Sequence, residues 1–221
     1  MANYKNTECW FVDSCEDSGI GCEMCQLFLE MSWQMQNSGL SEAKQRPIKL
    51  RPESCDIEAF NVLSNIRRGV KEFVTSGSNL YLCSQYTGNG KTSWAIKILQ
   101  SYLNLCCEGN YENLLGMFVS TPQLLLKLKD FDNPLPFLYK RQLSTVDVVV
   151  WDDIAVSGMS NYDYTQLFTY IDSRLLSEKA NIFTSNCSTR DELEKVIGNK
   201  LASRIWDTSE IVTLFGKDRR R

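Results

Sequence analysis

The sequence predicts a parallel α/β sheet covered by helices on both faces, with a small cysteine-bearing module at its N-terminus. Three observations predict it. Short apolar runs at 80–83, 115–120, 146–151, 181–185 and 210–214 are separated by helical patterns, and strands alternating with helices imply a five-stranded parallel sheet between two helical layers. A glycine-rich stretch, Gly88, Asn89, Gly90, Lys91 and Thr92, joins the first run to the helical pattern that follows it. Four cysteines, Cys9, Cys15, Cys22 and Cys25, precede all of this.

Size and composition bound the function. The chain has 221 residues, enough for one ordinary domain with a proper core plus a small appendage. Its formal charge of -3 and isoelectric point near 5.2 give no global basic field, so any nucleic-acid contact must be local. The sequence has no run of 18 apolar residues, and its first ten residues lack the pattern of a signal peptide. The expectation is a cytoplasmic protein that does not enter a membrane. Histidine is absent, which removes Ser-His-Asp and Cys-His catalysis and histidine-bound metals together. Nine cysteines without a secretory signal favour metal ligation or burial over disulfides.

Residues 1–40 form the expected N-terminal module. A C-x-x-C turn at Cys22 and Cys25 can place two thiolates on one metal, and Cys9 and Cys15 would complete a tetrahedron of soft ligands suited to structural Zn²⁺. Four unrelated reduced cysteines are the alternative. Glu8, Asp13, Glu16, Asp17, Glu23 and Glu30 against Lys5 make the segment acidic, so it should bind protein rather than phosphate. From Cys25 onward, Leu27, Phe28, Met31, Trp33, Met35 and Leu40 form an apolar helical segment suited to packing or to a partner's groove. Residues 41–54, with Lys44, Arg46, Lys49, Arg51 and two prolines, read as a linker outside the core. Residues 55–221 are the expected main domain. It opens with an amphipathic helix over 55–75 carrying Ile57, Phe60, Leu63, Ile66, Val70 and Phe73.

The first strand leads into the stretch SQYTGNGKTS, a P-loop pattern in which Gln85 stands where the first glycine is usual. Such a loop turns consecutive backbone N–H groups toward phosphate at a helix N-terminus. Thr87, Gly88, Asn89, Gly90, Lys91, Thr92 and Ser93 would contact the nucleotide, Lys91 at the β- and γ-phosphates and Thr92 on Mg²⁺. After the second strand, Thr121 and Pro122 read as the N-cap and first residue of a helix, which Asn133, Pro134 and Pro136 break. The third strand ends in Asp152 and Asp153 at the edge where such sheets bind ligands. Asp152 would hold Mg²⁺, and Asp153 would orient or deprotonate the attacking water. A helix over 164–176 follows. The fourth strand ends at Asn186, placed to reach the γ-phosphate or that water, and one long helix spans 191–205.

The motifs SQYTGNGKTS, VVVWDDI, NIFTSN and NKLASRIW resemble the AAA+ ATPase domain of bacterial and phage replicative helicase loaders, the DnaC/DnaI type, over roughly residues 55–221. The cysteine cluster is similar in position to the zinc-bearing helicase-binding module of the DnaI branch. The resemblance implies an ATPase with ATP and Mg²⁺ as cofactors and Zn²⁺ in the N-terminal module. It assigns Lys91 and Thr92 to Walker A, Asp152 and Asp153 to Walker B, Asn186 to sensor 1 and Arg204 to the arginine finger reaching a neighbouring subunit. Arg174 and Arg190 compete for that last role, and Arg219 or Arg220 for sensor 2. Only 35 residues follow Asn186, so the helical lid is absent or truncated and nucleotide would be sandwiched between copies. The implied partners are a hexameric replicative helicase, further copies of the chain and single-stranded DNA. The DNA would meet the 121–144 interval with Lys127, Lys129, Lys140 and Arg141. Two other readings share the core: an IstB-type transposition helper, and a zinc-stapled adaptor with little ATP turnover.

Overall fold

The computed structural model describes residues 9–10, 25–109 and 113–216. Five strands form one sheet: β1 (Asn79–Cys83), β2 (Gly116–Ser120), β3 (Val148–Asp152), β4 (Ala180–Ser185) and β5 (Ser209–Thr213). Their order is β2-β3-β4-β1-β5, and every neighbouring pair is parallel. Strand alternation sends side chains to two separate cores. Leu80, Leu82, Val148, Val150 and Ile182 enter one, which α1 (Gln26–Asn37), α2 (Ile57–Arg68), α3 (Val70–Thr75) and α4 (Lys91–Cys106) cover. Tyr81, Val149, Trp151 and Phe183 enter the other, under α5 (Thr121–Leu128), α6 (Phe137–Thr145), α7 (Asn161–Leu176), α8 (Arg190–Ile197) and α9 (Asn199–Trp206). Central strands buried on both faces explain why the runs read as continuously apolar rather than alternating. Among the described residues no helix is long and apolar enough to cross a membrane.

Three helix expectations change on glycine or on a cap. The helix expected over 55–75 is two, α2 and α3, with Gly69 between them. The long final helix is also two, because Gly198 takes φ 79 and ψ 152, a conformation almost confined to glycine. The N-cap of α5 is Ser120, so Thr121 is already helical and its buried hydroxyl lacks a partner. A capping box not foreseen starts α7: Asp163 N donates to Ser160 Oγ (3.2 Å), and Ser160 N donates to Asp163 Oδ2 (2.9 Å).

The segment expected to be a linker outside the core is bound to it. Gln100, buried in α4, donates through Nε2 to the carbonyls of Lys44 (3.0 Å) and Arg46 (2.8 Å), and Ile48 N donates to its Oε1 (3.4 Å). Ile48 and Leu50 pack on the core, and Lys44 Nζ stands 4.8 Å from the Phe118 ring centroid. A buried glutamine amide must find partners, and the extended arm supplies them. Helix α1 is equally integrated, burying Met31 and Met35, while Gln34 donates to Asn113 O and accepts from Leu115 N. Beyond α1, Phe118 N on the outer side of β2 donates to Ser38 O over 2.6 Å. Gly39, at φ 81, lets the chain pass so close that a Cβ there would stand 2.6 Å from Phe118 O.

Candidate nucleotide site

The loop between β1 and α4 is braced by its own side chains. Ser84 Oγ accepts from Tyr86 N (3.0 Å) and from Asn89 Nδ2, which also donates to Leu214 O (3.3 Å) just past β5. Gly88 and Gly90 have φ of 73 and 104, so left-handed turns fall on glycines. Gln85 needs no such conformation. It is exposed and does not line the cleft, which explains why glycine is dispensable there. Lys91, largely buried at the first turn of α4, donates through Nζ to Tyr86 O (2.9 Å) and Asn89 Oδ1 (3.4 Å), spanning the loop.

Across the loop, Thr92 Oγ1 donates to Asp152 Oδ1 at 2.7 Å. Thr184 Oγ1 on β4 donates to the same oxygen at 2.8 Å and accepts from Asp153 N at 3.0 Å. One threonine thus fixes both acidic residues. Asp153 takes a left-handed φ of 54, which aspartate reaches more readily than most residues. The turn leaves Asp152 buried and brings Asp153 to the cleft. Thr184 and Asn89 were not foreseen in these positioning roles. For Thr184 the signal was positional: Trp151 pairs with Phe183, so the next residues along, Asp152 and Thr184, stand side by side.

The resulting cleft is about 460 Å³ and is lined by Thr87, Gly88, Asn89, Gly90, Lys91, Thr92 and Ser93 together with Asp153, Asn186 and the arm residues Ile48, Lys49 and Leu50. The structure therefore gathers the loop, the second acidic residue and the strand-end asparagine at one opening. Its chemistry suits a Mg²⁺-nucleotide. Glycine-freed N–H groups and Lys91 offer donors for phosphate, and the Thr92 hydroxyl with the Asp152 carboxylate offers hard oxygen ligands for the cation. The arm, expected as a linker outside the core, adds apolar side chains at the cleft wall.

The arginine candidates separate. Arg174 is fully buried and cannot be a finger. Its guanidinium donates to Asn181 Oδ1 (2.8 Å) and to the carbonyls of Leu143, Val146, Asp147 and Ala180 at 2.7–3.3 Å. Burial pulls its pKa down to about 9, so it stays charged at neutral pH. Arg190 is held in two ion pairs, with Glu194 and Asp207, each at 2.8 Å. Arg204, on the last turn of α9, lies outside the cleft lining. Its exposed side chain approaches Asp172 at 3.2 Å. Among the DNA-contact candidates, Lys129 is engaged in an ion pair with Asp163 at 2.6 Å. Cys15, Cys22, Arg219 and Arg220 lie outside the described residues. Cys9 is buried and Cys25 half-buried.

The strand order, the glycine loop and the acidic pair at a strand end together define a parallel α/β fold of the P-loop kind. No protein-family model and no curated protein matches the chain. Solved structures do match its fold. A DnaC helicase loader aligns with a TM-score of 0.63 at 18% identity, covering 82% of this chain and 99% of that one. DnaI aligns with a TM-score of 0.56 at 19% identity, covering 86% and 99%. The replication initiator DnaA, bound to AMPPCP and single-stranded DNA, aligns with a TM-score of 0.59 at 15% identity, covering 78% of this chain and 50% of that one. The chain thus resembles DnaC- and DnaI-type AAA+ proteins in fold.

Proposed function

We propose that the protein is an ATP-dependent loader that delivers a hexameric replicative DNA helicase onto single-stranded DNA. The observation that carries this reading is the convergence of Lys91, Thr92, Asp153 and Asn186 on one cleft, with Asp152 bonded to Thr92 just behind it, within a fold shared with DnaC and DnaI. Mg²⁺ held by Thr92 and Asp152 would supply charge neutralisation at the phosphates. The chain's own groups do the rest. Glycine-freed N–H groups and Lys91 grip phosphate, Asp153 takes the proton of the attacking water, and Asn186 fixes that water's position.

Arg204 stands apart from this cleft on α9, so it serves the nucleotide of a second copy and completes its site from outside. Single-stranded DNA meets the segment from α5 to α6, where Phe131 and Phe137 are 79% and 81% exposed beside Lys127, Lys140 and Arg141. Exposed aromatic rings with nearby cations are what unstacked bases and phosphates bind. Cys9, Cys15, Cys22 and Cys25 hold Zn²⁺ in the module that grips the helicase, a reading supported by their spacing.

The test is ATP turnover with and without a replicative helicase and single-stranded DNA, for the wild type and Lys91→Ala. The loader reading expects co-purification with helicase and turnover stimulated by both ligands, lost in Lys91→Ala. If both proteins are equally inert yet bind helicase, the chain is an adaptor instead. Zinc content of Cys22→Ser, measured on the same preparations, tests the metal.

A further inference from the structure

On the other side of the arm residues 48–50 from the nucleotide cleft, the outer face of α2 and α4 carries two adjoining grooves of about 460 and 330 Å³. Arg67, Arg68 and Lys97 line both, and Lys49 lines the larger. No carboxylate lines either one among the described residues. That is unexpected in a chain whose acidic residues outnumber its lysines and arginines by 27 to 24. Cations on a helical surface ordinarily sit among carboxylates three or four residues away. Here Glu72, four residues after Arg68, lies past the break at Gly69, and Arg68 donates instead to Ser64 O (3.3 Å) and Asn65 Oδ1 (2.9 Å); no ion pair involves Arg67, Arg68, Lys97 or Lys49 among the described residues.

The arrangement is costly without an anion. Lys97 is half-buried, and burial together with the Arg67 guanidinium pulls its pKa below the ordinary value. Like charges gathered over partly desolvated ground repel one another, and a bound anion reverses the sign of that interaction. Hydrogen-bonding side chains are also at hand in the smaller groove, at Ser101 and Asn104. The two grooves join through Arg67, Arg68 and Lys97 into one track longer than a single phosphate requires.

We propose that this track binds closely spaced phosphate groups, those of a nucleic-acid backbone or of a free polyphosphate. Arg67, Arg68 and Lys97 line neither the 121–144 segment nor the nucleotide cleft, although the larger groove meets that cleft across Ile48, Lys49 and Leu50, and the proposal does not depend on the loader reading. Flexible cations without base-reading partners bind phosphate with no sequence preference and with strong salt dependence.

The experiment measures binding of a labelled single-stranded oligothymidylate to the full chain, without ATP, across a range of salt concentrations. It is done in a background of Lys91→Ala with Lys127→Gln, Lys140→Gln and Arg141→Gln, which removes the P-loop lysine and the cations of the 121–144 segment. Arg67→Gln with Lys97→Gln should weaken binding about tenfold and reduce the salt slope by about 1.4, since each lost phosphate contact on a single strand contributes about 0.7. The charge-conserving pair Arg67→Lys and Lys97→Arg should restore both. Competition with tripolyphosphate then distinguishes the source. Displacement at lower phosphate concentration than an unlabelled oligonucleotide needs assigns the track to free polyphosphate, and the reverse order assigns it to nucleic acid. Unchanged affinity and slope in a glutamine variant that melts like the parent would overturn the proposal. So would equal losses in the glutamine and charge-conserving variants.

Discussion

Thr92 Oγ1 donates to Asp152 Oδ1 over 2.7 Å, and this bond joins the first turn of α4 to the end of β3. Thr184 meets the same carboxylate oxygen from β4 and also holds Asp153 N. Replacing Thr184 with Val removes both bonds while leaving every phosphate donor in place. Nucleotide affinity should stay within about twofold, whereas turnover should fall about a hundredfold, the scale of losing a positioned polar group at a reacting centre. Equilibrium binding of a fluorescent ATP analogue, set against steady-state hydrolysis, separates the two effects.

Arg174 and Arg204 should fail in different ways. Arg174→Ala strands a set of buried carbonyls and the Asn181 amide oxygen, and should cost about 4 kcal/mol of stability. Arg204→Ala removes an exposed side chain and should leave the denaturant midpoint within experimental error. It should bind nucleotide normally yet lose stimulated hydrolysis, and mixing it with Lys91→Ala should recover part of the rate. Full activity of Arg204→Ala alone would move the finger elsewhere.

Gly198 separates α8 from α9 at φ 79 and ψ 152. Alanine there meets the backbone cost first, about 1–3 kcal/mol. The built Cβ would touch only Tyr164 Cε2 at 3.6 Å, so packing adds little. Relief of the strain would fuse the two helices and swing Arg204 away. Gly198→Ala should therefore lower both the melting temperature and the trans-acting rate. A variant that loses stability alone would show that the break does not set the arginine's position.

Asp163 gives a pH signature. Burial alone would raise its pKa, but the Lys129 ammonium and the Ser160 donors outweigh that and hold the carboxyl below its ordinary value of 3.8. A carboxyl with a depressed folded pKa contributes stability that is complete above the unfolded value and is lost as the pH falls through the folded one. Asp163→Asn should cost about 1–2 kcal/mol at pH 7, and that difference should shrink as the pH is lowered below about 4. Urea melts at the two ends of this range measure it. An equal cost at both ends would remove Asp163's charge from the account.

The sheet was legible because its strands are buried on both faces, which leaves apolar runs that only a doubly covered strand needs. The P-loop and the acidic pair were legible because glycine and charge at a strand end have few other uses. Gly69 and Gly198 were harder to place. Helical periodicity continues across both, and only the backbone angles show that the chain breaks there. Arg174 was misjudged because sequence alone assigns a charged residue to the surface. Its burial depends on carbonyls from four separate positions that tertiary structure brings together. The arm over 44–50 was hidden for the same reason, since its charged residues around Pro47 say nothing of the Gln100 amide that holds it.

The bond between Phe118 N and Ser38 O has a consequence for how the chain may be divided. Residues 38–40 act as a selvedge along the outermost ribbon of the sheet, finishing a margin that would otherwise offer unpaired amides to any neighbour. A fragment begun at residue 55 would carry every phosphate-gripping group and still be frayed there, prone to stick to its own kind.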